Sequence, residues 1–264
     1  MRKSSVIRVC SAIGWVTFRE ILRDKILYNI LLVSVLLLGL GLLGSKLTWV
    51  RPDRIVLDFG IGALNLSCAA IAILIGASLV NREIERRTIL VALSHPISRL
   101  EFVIGKFLGL VWILVLNWLL LAGVFLLILA LSGGWDAADF HSTLFLGIFL
   151  ALWQSIALAS ITILVSTIST TSLTAVIGIG FYLIGINLSH LRLLAARTSS
   201  HLAAFALKSL ALILPDFELF NLGSRVTYGI PVHAGFIASA MLYACAVSIA
   251  SLLLAGFLID AREV

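Results

Sequence analysis

The chain has 264 residues, of which 61% are hydrophobic and 12% charged, a formal net charge of +6 and a mean hydropathy of +1.15. Soluble domains carry about 45–50% apolar residues, so this composition excludes an ordinary water-soluble fold and makes the bilayer the solvent for most of the chain. Its Lys and Arg cluster by position between apolar runs, which points to phospholipid contact and membrane orientation and not to nucleic acid.

Residues 2–25 read as a helix at the membrane interface, with Val6, Val9, Ile13 and Val16 towards one side and Arg8, Arg19 and Arg23 on another. Anchorage on anionic lipid and contact with a partner protein both fit it. Six apolar runs follow, at about 26–45, 59–80, 107–131, 142–165, 173–191 and 232–259. Each is long enough to cross the hydrocarbon core as a helix, the structure that satisfies its own backbone polar groups in lipid. The first run has no small-residue cleavage site and reads as a retained span. Most of the 19 Lys and Arg fall in the segments that share a side with the N-terminus, among them Arg82, Arg86, Arg87, Arg99 and Lys106. Both termini and residues 81–106 are therefore expected in the cytoplasm, and residues 190–231 outside. That outer segment includes residues 202–214, apolar but too short to cross and closed by Pro215, so it reads as interfacial or re-entrant.

The densest charge lies between the second and third runs, in Asn81-Arg82-Glu83-Ile84-Glu85-Arg86-Arg87-Thr88. Asn81 is placed to cap a short helix, Glu83 favours its positive end, and Glu83 and Arg87 are four apart on one face. His95 before Pro96 ends that helix. Ser98 and Glu101 have capping-box spacing and start the next one. The pattern specifies span, short charged helix at about 82–94, sharp break, span.

The segment Glu85-Arg86-Arg87-Thr88, Leu93-Ser94-His95-Pro96-Ile97-Ser98-Arg99 and Gly105-Lys106-Phe107-Leu108-Gly109 resembles the region between the second and third spans of type-2 ABC transporter permeases. Phe18-Arg19-Glu20-Ile21-Leu22-Arg23-Asp24-Lys25 resembles that family's elbow helix, and Leu214-Pro215-Asp216-Phe217-Glu218-Leu219-Phe220-Asn221 its stretch before the last span. The chain departs from many members in having Arg87 where they have Gly. The resemblance implies an all-α membrane protein, a single permease domain over 1–264. It would have six transmembrane helices, an interfacial elbow helix, a cytoplasmic coupling helix, and short re-entrant or interfacial helices before span 6. It further implies a plasma-membrane exporter subunit that pairs with a second permease copy or a homologue and sits on two cassette ATPase subunits. Docking would fall on Glu83, Ile84, Glu85, Arg86, Arg87, Thr88 and Val91. ATP and Mg would be bound by the partner, because this chain has no phosphate-binding loop. A structural or mechanotransmitting subunit of a cassette complex, moving no substrate, is the alternative.

No site for a resident cofactor or metal is evident. Cys10, Cys68 and Cys245 are scattered, and the acids are too dispersed for a membrane-embedded enzyme. The intramembrane polar residues Asn65, Asn117, Gln154 and Asn187 are a candidate polar path, or else hydrogen-bonding glue between helices. No ionisable residue is placed near mid-membrane, which disfavours an ion-coupled carrier. Gly39, Gly41, Gly44, Gly178, Gly180 and Gly185 allow close helix approach, either within the chain or in a dimer.

Overall fold

Residues 2–48, 52–85, 98–131, 141–198, 200–223, 225 and 232–261 are described in a computed structural model of the chain. Their regular structure is helical throughout, as expected of backbone that must bond to itself in lipid. In chain order the helices are α1 (Arg2–Leu22), α2 (Lys25–Leu47), α3 (Pro52–Ala70), α4 (Gly76–Leu79), α5 (Asn81–Glu85), α6 (Arg99–Leu131), α7 (His141–Ser166), α8 (Thr171–Gly185), α9 (Leu188–Arg197), α10 (His201–Ile213) and α11 (Ala234–Ala261). A π-helical turn, Ile71–Ile75, joins α3 to α4, and Glu218–Phe220 is a 3-10 turn.

Five spans are continuous: α2, α3 through α4, α6, α7 and α11. The fifth apolar run, expected to cross as one helix over 173–191, is instead two helices, α8 and α9, bent by 70°. The bend has a local cause. A Cβ on Gly185 would lie 2.4 Å from Cδ2 of Phe217, and the Gly185 carbonyl accepts from the Phe217 N–H at 3.1 Å. The chain before the last span thus plugs into the end of α8 and supplies a partner for a carbonyl at the helix terminus. The short segment expected to stop short of crossing is α10, only 13 residues long and followed by Pro215.

Burial separates the spans. The central apolar windows of α3–α4 and α7 are 78% and 72% buried, against 28% for α2 and 33% for α11. The second and fourth spans therefore form the centre, and the first and last keep broad apolar faces outward, as lipid or a second copy requires. Polar side chains tie the inner helices: Asn117 donates to the Ser67 hydroxyl at 3.0 Å, and the Trp118 indole N–H donates to the Ile148 carbonyl at 2.6 Å.

Helix α1 is held against α6 by small residues. Its buried line is Cys10, Gly14, Thr17 and Ile21, spaced four, three and four apart, while Val16 is exposed. Opposite lie Gly105 and Gly109, where an added Cβ would come within 2.7 Å of Ile13 Cβ and 2.6 Å of Thr17 Cβ. Small residues four apart let the two backbones touch. Trp15 and Phe18 then pack on Trp112, with ring centroids 6.2 Å apart in both pairs. The line of Val6, Val9, Ile13 and Val16 runs beside this contact and enters it at Ile13, which meets Gly105.

The span glycines divide. Gly41 meets Phe59, Gly178 meets Ile73 and Gly185 meets Phe217 within the chain, whereas nothing lies within 4 Å of a Cβ built on Gly39 or Gly180.

Candidate functional site

At one end of the bundle four segments converge: the α1–α2 junction, α5, the start of α6 and the turn between α7 and α8. Asp24 ends the first segment and caps α2, its carboxylate accepting from the Ile26 N–H at 3.0 Å. The same carboxylate pairs with Arg82 of α5 at 3.5 Å. Ser98 and Glu101 form the expected capping box at the start of α6: the Ser98 N–H donates to Glu101 at 3.0 Å, and the Glu101 N–H to the Ser98 hydroxyl at 3.3 Å.

Asn81 does not turn its side chain to its own helix. Its amide donates to the Ser169 carbonyl at 3.0 Å and to the Thr171 hydroxyl at 3.2 Å, latching the start of α5 to the α7–α8 turn. The amide is 6% exposed as a residue, so both bonds replace lost water.

Lys106 is the centre of the cluster. Its side chain is 5% exposed, its ammonium pairs with Glu83, and Glu20 lies 3.7 Å away on α1. The Phe102 ring centroid lies 5.8 Å from the same nitrogen. A buried ammonium must be compensated, and here carboxylates from α1 and α5 do so together. The residue sits between Gly105 and Gly109, on the helix that α1 touches, so its charge is delivered to a closed contact between backbones.

Of the residues singled out for docking, Glu83 is turned onto Lys106 and is about one-quarter exposed. Ile84 and Glu85 lie on the last turn of α5, and Arg86, Arg87, Thr88 and Val91 fall outside the described residues, as does most of the expected helix at 82–94. Lys106, Glu20, Asp24, Ser169 and Thr171 were not singled out by sequence reasoning. The one available signal was a lysine between glycines four apart, which places a charge on a close-packed face.

The four intramembrane polar residues do not form one hydrogen-bonded chain among the described residues. Asn117 is paired with Ser67 and reaches the Cys68 sulfur at 3.6 Å. Asn187 lies at the α8–α9 bend and donates back to Leu183. Asn65 and Gln154 each keep a buried side-chain oxygen without a protein partner. Among the described residues, no group of three or more His, Cys, Asp or Glu converges on a point where a metal ion could sit. Cys10 donates weakly to the Glu101 carbonyl at 3.6 Å, and its burial, with the Glu101 charge added, pushes the thiol pKa up.

The arrangement is a brace joining α1, α5 and α6 around one buried charge. Residues 12–259 match the family model described as ABC-2 family transporter protein. No curated protein matches the chain.

Proposed function

The chain belongs to the ABC-2 transporter family, whose members are multi-pass membrane permease subunits, and from that premise we propose that it passes the work of two separate ATP-hydrolysing cassette subunits into its spans to export a substrate. ATP and Mg would be bound in the cassettes, and a second copy or a homologous permease would complete the pathway. The proposed setting is the plasma membrane, with both termini and the α5 end of the bundle in the cytoplasm.

The observation that carries this reading is the brace at Lys106. Docking is assigned to the stretch that begins at Glu83 and continues through Ile84, Glu85, Arg86, Arg87, Thr88 and Val91, with Glu83 as its root. A cassette that moves this stretch pulls on Glu83, hence on the buried ammonium of Lys106 in the third span, and through Glu20 on α1. Asn81 carries the same displacement to the α7–α8 turn. Three attachment points around one short helix convert a push at the surface into a shift of several spans at once.

Glu85→Arg tests the docking assignment. Truncating or reversing a desolvated charge at an interface costs about 2–5 kcal/mol of binding, so the co-expressed cassette should be lost on purification, or be retained with ATPase activity that no longer responds to substrate. Full assembly with wild-type coupling would remove this segment from the mechanism.

A further inference from the structure

Three open hollows lie end to end along one seam between α2 and the second span. The first, about 380 Å³, is walled by the charged groups of Glu20, Arg23, Asp24, Lys25, Arg82 and Glu83. The second, about 470 Å³, begins one residue further along each helix, with Ile26 next to Lys25 and Leu74 next to Ile75, and runs between Val33 and Leu66. The third, about 340 Å³, shares Leu66 and continues past Leu37 to Phe59 and Gly62. From Lys25 to Leu37 the seam follows α2 for about 18 Å at the helical rise. Its lining changes from charged to largely apolar within one turn, with Asn29, Ser34 and Ser67 as neutral polar groups along it and Asp58 at its far end.

The first hollow is lined by three acidic and three basic side chains, but they are not all paired with one another. Glu20 and Glu83 are engaged by Lys106, and Asp24 by Arg82 and the Ile26 N–H. Among the described residues the side chains of Arg23 and Lys25 have no ion pair, because Lys106, which does not line the hollow, takes two of its three carboxylates and Arg82 the third. A free anion accounts for the first hollow and leaves the trough without purpose. An apolar molecule accounts for the trough and not for the cations. A molecule with an anionic head and a long chain fits both.

We propose that this seam holds one anionic glycerophospholipid, its phosphate against Arg23 and Lys25 and one acyl chain along the trough between α2 and α3. The bound lipid closes the open side of the α2–α3 pair next to the brace, and it couples the headgroup composition of that leaflet to the same helices that Lys106 joins. The inference rests on the cavity and its charges alone and holds whether or not a cassette docks on α5.

The test uses the full chain purified in mild detergent, with retained lipid counted by mass spectrometry of the intact protein and thermal unfolding followed during titration with phosphatidylglycerol, phosphatidylcholine of the same chains, or inorganic phosphate. One phosphatidylglycerol should remain per chain and raise the unfolding temperature more than phosphatidylcholine does. Arg23→Gln with Lys25→Gln should weaken that lipid about thirtyfold, the loss of two cations near an anionic headgroup. Arg8→Gln, an exposed cation of α1 that does not line the cavity, should leave it unchanged. Gly62→Phe, at a site where nothing lies within 4 Å of an added Cβ, should also weaken retention by filling the trough. Equal effects of phosphatidylcholine, full retention in the double variant, or a loss with Arg8→Gln as large per charge would overturn the proposal. Reproduction of the stabilisation by inorganic phosphate alone would reduce the site to an anion pocket and reject the lipid.

Discussion

At the α5 end of the bundle, a lysine that is almost wholly buried gathers carboxylates from Glu20 and Glu83, two helices far apart in sequence, while Asn81 crosses to the α7–α8 turn. At the opposite end the ties are local. Glu218 accepts from the Ser189 N–H at 2.9 Å and from its hydroxyl at 2.7 Å, Asp216 pairs with Arg192 at 3.0 Å, and the Asp216 N–H donates to the Tyr243 hydroxyl at 2.9 Å. The first set joins the N-terminal helix and spans two and three through a desolvated charge, and reaches the turn between spans four and five through the buried Asn81 amide. The second joins the bent fifth span to the strap before the sixth, at positions that water reaches. Displacement at the first end has to move several helices together, whereas the second can open by exchanging a few bonds with solvent. Under the proposed coupling, the first kind of contact suits an end that transmits force and the second an end that changes shape.

Lys106→Ala should show the contrast most strongly. Removing one partner of a buried ion pair costs about 3–5 kcal/mol, and because Glu20 is 58% exposed and can be rehydrated, the loss should lie near the lower figure. Denaturant unfolding of the purified chain measures it. A loss below about 1 kcal/mol, the range of exposed pairs, would make the two ends alike.

Gly109→Ala attacks the same end through packing alone. The new Cβ would stand 2.8 Å from the Gly14 carbonyl oxygen, so α1 has to move off α6 as backbone, not as a yielding side chain. Overpacking of this kind costs about 1–3 kcal/mol, and α1 should become sensitive to protease while the spans stay intact. Retained protection would show that α1 is not seated by contact between the two helices.

Glu218→Gln tests the far end. The amide can keep only one of the two Ser189 bonds with its oxygen, and because the site is only partly buried the loss should be about 1 kcal/mol. It should change hydrogen exchange at α9 more than global stability. A loss equal to that of Lys106→Ala would erase the distinction between a force-bearing and a yielding end.

The smallest expected effect is chemical. In a chain whose only cysteine is Cys10, alkylation at neutral pH should be slower than that of a free thiol. The thiolate is the nucleophile, and burial with Glu101 raises the pKa above that of a free thiol. The rate should therefore still be climbing at pH values where that of a free thiol has levelled off. A plateau at the same pH as a free thiol would mean that α1 does not bury Cys10 against α6.

Apolar length, periodicity and helix-start chemistry are written in neighbouring residues, and those features were legible without coordinates. The spans at α2, α3–α4, α6, α7 and α11 coincide with apolar runs because lipid tests each segment on its own for length and hydropathy. The Ser98–Glu101 box forms as its spacing requires, and α10, thirteen mostly apolar residues long, stops just before Pro215 as that length and the proline require. What stayed hidden depends on pairs distant in the chain. Lys106 reads as one more basic residue flanking a span until Glu83 and Glu20 are brought to it. Asn81 reads as a helix cap until Ser169 and Thr171 arrive from the fourth and fifth spans. The run over 173–191 reads as unbroken until Phe217 comes to rest on Gly185. Along α1, hydropathy marks Val6, Val9, Ile13 and Val16, while close approach selects Cys10, Gly14 and Thr17 for their small size. Transfer into lipid is a sum over single residues and so is fixed by the sequence; which charge is buried, which helix bends and which face is touched depend on what neighbours tertiary packing supplies.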